Sequence, residues 1–261
     1  MSRSVDTEST HHDYSRAHRA AEIVSILLVF GTLAALAARI ARTIGTPGGW
    51  IALGLTGLTG YLAADFISGF VHWAGDTIGD EATPFLGKNF VTPFRHHHVD
   101  PKDISRHDFI ETNGNNCIVV VAPLLVAYLL MPGRPGILFF ACALMAFLSL
   151  FIVATNQFHK WAHSDTPPRY ALVLQRWGLI LSPAHHNLHH ALPHDRHYCI
   201  TVGWMNPLLN RIQFFRAVEA LVAVYRPHWL HIEERGLLAA DRMTGKGAAM
   251  AASPLDRAQL G

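Results

Sequence analysis

Four long apolar runs constrain this chain more than anything else in it. They occupy residues 21–38, 50–71, 118–131 and 136–154, and they are nearly free of charge. Crossing the hydrocarbon core of a bilayer takes roughly 20 residues, with a range near 17–25. The first, second and fourth runs are long enough. The third is short and must borrow Asn115, Asn116 and Cys117, or part of the turn from Pro132 to Pro135. Only 15% of residues are charged and 50% are hydrophobic, whereas a soluble domain carries about 25% charged residues. A signal peptide followed by buried soluble helices fits poorly, because no small-residue cleavage site follows the first run and three more runs remain. The expected fold is all-α and integral to a membrane, with four transmembrane helices in two hairpins and a histidine-rich helical cap. Residues 1–20 and 236–261 read as flexible tails, and residues 21–235 as the membrane domain.

The basic residues give an orientation. With four spans both termini share a side, and the two tight turns face the other. Those turns hold Arg39, Arg42 and Arg134, leaving 18 of the 21 Lys and Arg on the side of the termini. Positive residues favour the cytosolic side, so the termini, the loop 72–116 and everything after residue 154 are expected there. In a bacterium that places the protein in the inner membrane, and in a eukaryote in the endoplasmic reticulum. Cys117, Cys142 and Cys199 are widely spaced and form neither a disulfide framework nor a CxxC site. A net charge of +2 gives no basic stripe for nucleic acid.

Thirteen of the 18 histidines lie between His72 and His197, in clusters placed just past the apolar runs. All of them fall on the expected cytosolic face, which makes a shared site possible. Imidazole is the commonest protein ligand for transition metals. His159 and His163 are four residues apart, the spacing with which one helical face presents two nitrogens to an ion. Asn156 sits one turn earlier, as a weak ligand or an outer partner. His186, His189 and His190 form an HxxHH set on one face. In RHHHVDP, three adjacent histidines cannot face one ion from a regular helix, so at most two of His96, His97 and His98 serve. At the end of the second run, Asp65, His72 and Asp76 share one helical stripe. A carboxylate within a span is expensive and usually functional. Asp65 is expected to orient an imidazole, or otherwise to pack by bonding Thr56 or Thr59. His11, His12 and His18 belong with the tail. Residues 169–181 are amphipathic and end at Ser182-Pro183, as a helix lying along the membrane surface would. Eight or more nitrogens call for two ions, since a structural zinc takes four ligands. Ligand type alone leaves iron, copper, nickel and zinc open.

The boxes resemble those of integral-membrane desaturases and hydroxylases. More closely, the chain resembles the Kua/CarF family of plasmanylethanolamine desaturases, which includes the plant fatty acid desaturase 4 type. The matching stretches are ADFISGFVHWAGDT (64–77), PFRHHHVDP (93–101), RHDFIETNGNN (106–116), NQFHKWAH (156–163), HHNLHH (185–190) and CITVGWMN (199–206). The resemblance implies two irons held by His72, His97, His98, His159, His163, His186, His189 and His190. His107 and His194 are the next candidates, and Asp65, Asp76, Asn156 and Glu111 the supports around them. The position before the paired histidines of the first loop is often acidic in that family. Here it is His96, which is therefore left out. The reaction implied removes two vicinal hydrogens from the 1-O-alkyl chain of an ether phospholipid, using O₂ and two electrons. The glycines of residues 54–60 lie inside an apolar run rather than after a strand, so they form no dinucleotide fingerprint. Electrons are then expected from an external cytochrome b5 or ferredoxin. Asp100 or Asp108 could meet an ethanolamine headgroup.

Three other readings compete. An acyl-lipid desaturase or hydroxylase would use the same centre on a fatty acyl chain. A haem-binding electron carrier would place paired histidines on facing helices inside the bilayer, where these runs have none. A zinc-dependent enzyme would share the boxes without needing O₂.

Overall fold

The computed structural model describes residues 15–84 and 86–232. Among them are helices and no β-strand: α1 (Arg16–Thr43), α2 (Pro47–Thr77), a π-helical turn (Gly87–Val91), α3 (Thr92–Val99), α4 (Asp103–Arg106), α5 (Phe109–Leu130), α6 (Ile137–His163), α7 (Arg169–Arg176), α8 (Pro183–His190), α9 (Asn206–Arg211) and α10 (Phe214–Tyr225). The helices α1, α2, α5 and α6 are long and apolar enough to cross a membrane. α1 packs on α5, α5 on α6 and α6 on α2, so α5 and α6 lie between the two N-terminal spans. Their shared core is Val29, Leu36, Leu124, Phe139 and Ala143 with their neighbours.

Side chains set the helix ends. Thr46 caps α2 by accepting from the Gly49 N–H, with Pro47 in its first turn. Asp108 caps α5 by accepting from the Glu111 N–H at 2.9 Å. The short third run therefore gains its length from its N-terminal side, back to Phe109, and not from the Pro-Gly turn. Arg39, expected in a turn, lies inside α1. Its guanidinium donates to the carbonyls of Tyr128 and Met131, covering the open C-terminal end of α5. α1 begins at Arg16, inside the stretch expected to be a tail. His18 sits on that helix, 3.4 Å from the Glu22 carboxylate. His11, His12 and residues 236–261 lie outside the described residues.

α2 has 31 residues and α6 has 27. At 1.5 Å per residue they extend about 46 and 40 Å, beyond a hydrocarbon core of about 30 Å. The histidines at their ends are therefore not in loops after the spans. They ride on the same rigid helices, which fixes their separation.

The surface helix expected over residues 169–181 is shorter. α7 stops at Arg176 because Gly178 takes φ +65. There the Leu179 N–H reaches back to the Leu174 carbonyl and the Gly178 N–H to that of Gln175, a glycine stop favoured by the missing Cβ. Tyr170, Leu172 and Val173 remain exposed on it, as does Trp177 just past its end.

The segment after α8 is strapped to α2. The Asp65 carboxylate accepts from the backbone N–H groups of Val202 and Gly203, each at 2.9 Å, and of Met205 at 3.0 Å. Ser68 Oγ accepts from the Ile200 N–H at 3.0 Å. Gly69 lets the strap come close, since a Cβ there would stand 2.5 Å from Cys199 Sγ and 3.0 Å from its backbone nitrogen. Gly69→Ala is expected to destabilise the protein by about 1–3 kcal/mol through overpacking. Thermal unfolding of the detergent-solubilised protein measures this. An unchanged midpoint means the segment does not seat on α2 this closely.

Candidate metal centre

Four helices bring their histidines to one place. α2 supplies His72 and Asp76, α3 supplies His97 and His98, α6 supplies His159 and His163, and α8 supplies His186, His189 and His190. The eight histidines proposed from the sequence as ligands all fall in two compact groups that could hold metal ions. The first contains His97, His159, His163, His186 and His190; the second contains His72, Asp76, His98 and His189.

Helical periodicity explains the division. Residues four apart share a face, whereas adjacent residues point about 100° apart. His159 with His163 and His186 with His190 are such pairs, and both serve the first group. His72 with Asp76 is the third, serving the second group. His97 and His98 are adjacent and separate, one to each group. His189 likewise parts from His186 and His190, so the HxxHH set does not serve a single ion from one face.

The first group is a cage of Nε2 atoms. His159 Nε2 lies 3.0 Å from that of His97, 2.9 Å from that of His186 and 3.2 Å from that of His163. His190 Nε2 lies 3.2 Å from that of His97 and 3.0 Å from that of His186. A ring nitrogen carries one N–H or one lone pair, so the His159 nitrogen cannot satisfy three partners by hydrogen bonding. With metal–nitrogen bonds of about 2.1 Å, two ligands at a right angle on one ion stand about 3.0 Å apart, and two at a tetrahedral angle about 3.4 Å. The spacings thus fit donors that would share one ion. Burial first, then the neighbouring imidazoles, holds His97, His186 and His190 well below the usual imidazole range. They are therefore neutral, which is the form that binds metal.

In the second group Asp76 is enclosed by three imidazoles. Its Oδ1 lies 3.1 Å from His98 Nε2, and its Oδ2 lies 3.4 Å from His189 Nε2 and 3.7 Å from His72 Nε2. All four residues are buried, and Asp76 Oδ2 and the Nε2 atoms of His72 and His189 have no hydrogen-bond partner among the described residues. A buried carboxylate with one oxygen left unpartnered calls for a cation. His189 Nδ1 donates to the Arg196 carbonyl at 2.9 Å, which leaves its Nε2 lone pair facing the group. The groups adjoin, with ring centres of His98 and His190 5.2 Å apart and those of His72 and His159 6.1 Å apart.

The other candidates fall elsewhere. Asp65 forms no hydrogen bond or ion pair with a histidine among the described residues, and neither Thr56 nor Thr59 bonds it: their hydroxyls donate to the carbonyls of Ala52 and Leu55. It is the acceptor for the strap described above. Asn156 donates to the Thr112 carbonyl, tying α6 to α5. His107 stands 3.4 Å from Asp103 and 3.7 Å from Glu111, outside both groups. His194 backs the second group, its Nδ1 being 3.1 Å from both His98 Nδ1 and the His189 carbonyl. His96 joins neither group. His185 Nε2 accepts from Asn206 Nδ2, and Asn206 also closes on both backbone groups of Cys199. That lock joins the CITVGWMN segment to α8 next to His186. Sequence reading missed it because its partners are far apart along the chain; the only local hint was the CITVGWMN motif itself.

Residues 61–227 match the lipid desaturase domain family. The chain belongs to the lipid desaturase family. This lipid desaturase is 48% identical over 222 residues to the plasmanylethanolamine desaturase of Myxococcus xanthus, covering 84% of this chain and 77% of that one. It is 43% identical over 218 residues to plasmanylethanolamine desaturase 1 of Mus musculus, covering 80% and 79%. It is 38% identical over 171 residues to the chloroplastic fatty acid desaturase 4 of Arabidopsis thaliana, covering 63% and 50%. No solved structure matches. The family matched and the four apolar helices make this a membrane protein with clustered histidines able to hold metal.

Proposed function

We propose that this protein desaturates the 1-O-alkyl chain of plasmanylethanolamine to the vinyl ether of a plasmalogen. Overall, –O–CH₂–CH₂– plus O₂, two electrons and two protons gives –O–CH=CH– and two waters. The observation that carries this reading is the pair of ligand groups at the end of the apolar helices, in a chain so similar to plasmanylethanolamine desaturases. The five histidines of the first group would hold one iron, and His72, His98, His189 and Asp76 the other. When bound, two irons supply, with O₂ and two electrons, the oxidising power that an unactivated C–H bond requires.

The chain's own residues organise the site. The rigid ends of α2 and α6 hold His72, Asp76, His159 and His163 at fixed spacing. The Arg196 carbonyl fixes the tautomer of His189. Asp76 supplies negative charge to the second group, whose four residues are all buried, while His97, His163 and His190 leave the first group partly open. His194 is an outer partner in this reading. Electrons come from an external donor of cytochrome b5 or ferredoxin type. The histidine face and both termini are cytosolic, in a bacterial inner membrane or the endoplasmic reticulum.

Deleting the gene is expected to remove acid-labile vinyl ethers from the cell's lipids, with 1-O-alkyl lipids accumulating in their place. Mass spectrometry of the lipids before and after acid treatment measures both. Vinyl ethers that persist after deletion contradict the ether substrate. Loss of an acyl-chain double bond instead points to the acyl-lipid reading, which the likeness to the Arabidopsis thaliana fatty acid desaturase favours.

A further inference from the structure

A cavity of about 540 Å³ adjoins the first histidine group, lined among others by His163, His190, Asp100, Lys102, Asp165 and Asn187. Two of these residues are in the candidate metal group, yet Asp100, Lys102 and Asp165 add charges of both signs that metal binding does not use. Lys102 Nζ donates to both oxygens of Asp165, at 2.8 and 2.6 Å, and both side chains are largely exposed. Such an exposed ion pair contributes little and exchanges partners readily. Asp100 accepts from Arg106 at 2.6 Å, and a carboxylate has lone pairs enough to accept from a further donor.

The position of this cavity matches the order of atoms in a lipid. Along α6 come the apolar run, then His159 and His163, then Asp165 beyond the helix end. An ether phospholipid presents its chain, then the reacting carbons, then its headgroup. Six bonds separate the first alkyl carbon from phosphorus, roughly 7 Å when extended, at about 3.6 Å for every three bonds. A vinyl ether forms at the first two chain carbons, so the headgroup must lie immediately past the metal ligands. That is where the cavity is.

Resting on the reading of the preceding subsection, we propose that the cavity binds the phosphoethanolamine headgroup of the membrane lipid. Lys102 meets the phosphate, and Asp165 with Asp100 meets the ammonium. A zwitterion replaces the single Lys102–Asp165 pair by two pairs without adding net charge. A primary ammonium donates N–H bonds to carboxylates, while a trimethylammonium has none to give. The cavity therefore selects ethanolamine over choline.

The test uses the purified full-length protein in detergent and 1-O-alkyl phospholipids differing only in headgroup. Lipid retention is read by native mass spectrometry and conversion by vinyl-ether formation. The wild type is expected to prefer ethanolamine by about tenfold or more, the scale of a charged hydrogen bond. Asp165→Asn should erase the preference. Lys102→Gln should weaken both lipids by about tenfold. Arg134→Gln, on the opposite turn, should match the wild type, and metal content should be equal in all. Equal wild-type retention of the two lipids overturns the proposal, as does selectivity unchanged in both cavity variants. Variants that keep selectivity but need more electron donor for half-maximal turnover make the cavity a donor-docking face, which also overturns it. Tight binding of soluble phosphoethanolamine without a lipid chain would assign the cavity to a soluble ligand instead. Ethanolamine-selective retention with no vinyl ether formed would uphold the headgroup site while sinking the ether-lipid reaction.

Discussion

His159→Ala is expected to abolish vinyl-ether formation and to empty the first histidine group of metal. His159 Nε2 touches three other ligand nitrogens, those of His97, His163 and His186. Removing it deletes the donor at the centre of the cage. Altering outer partners of metal ligands costs about 10–100-fold in affinity or activity, so losing a shared donor should exceed that and leave only background turnover. His163→Ala and His190→Ala should also eliminate activity, while membrane insertion persists in all three because the apolar runs are untouched. His228→Ala, which lies outside both groups, should be silent. Lipid mass spectrometry together with metal analysis reads the series. Retained activity in His159→Ala would remove it from the ligand set.

Asp65→Ala should give the largest loss of stability. Three backbone N–H groups, of Val202, Gly203 and Met205, lose their common acceptor at once. Each buried donor left unpaired costs about 1–3 kcal/mol, so the strap is expected to come free of α2 at a cost of about 3 kcal/mol or more. Asp65→Asn keeps one acceptor oxygen and should fall between the two. Release of the strap also frees Asn206, and with it the contact to His185 beside His186. Thermal unfolding and metal content, measured on the same samples, separate the roles. A variant that unfolds at the wild-type temperature yet binds less metal would mean that Asp65 acts on an imidazole after all.

Much of this molecule is local in its causes and was legible for that reason. Apolar runs of span length gave the four long helices, and the i, i+4 pairs gave the ligand faces at His159 with His163 and at His186 with His190. What was not legible depended on partners far along the chain. A span carboxylate near His72 invites a metal role, but the acceptor role of Asp65 is decided by N–H groups more than 130 residues away. The helix ends were obscured because histidines lower local hydropathy, although α2 and α6 continue through them without a break. The distribution of His97 and His98 over two groups follows from helical geometry, yet only the packing of α3 against α2 turns it into two sites. Glycine at position 178 stopped α7 early, a local signal outweighed by the amphipathic pattern on either side.

Metal content of the purified, full-length wild-type protein tests the two-iron centre most directly. Elemental analysis of protein prepared with iron should return about two irons per chain, with no haem absorption and little zinc. His159→Ala should lose about half of that iron, since the second group, His72, Asp76, His98 and His189, remains intact. One iron or none in the wild type, zinc in place of iron, or a haem Soret band would contradict the two-iron centre.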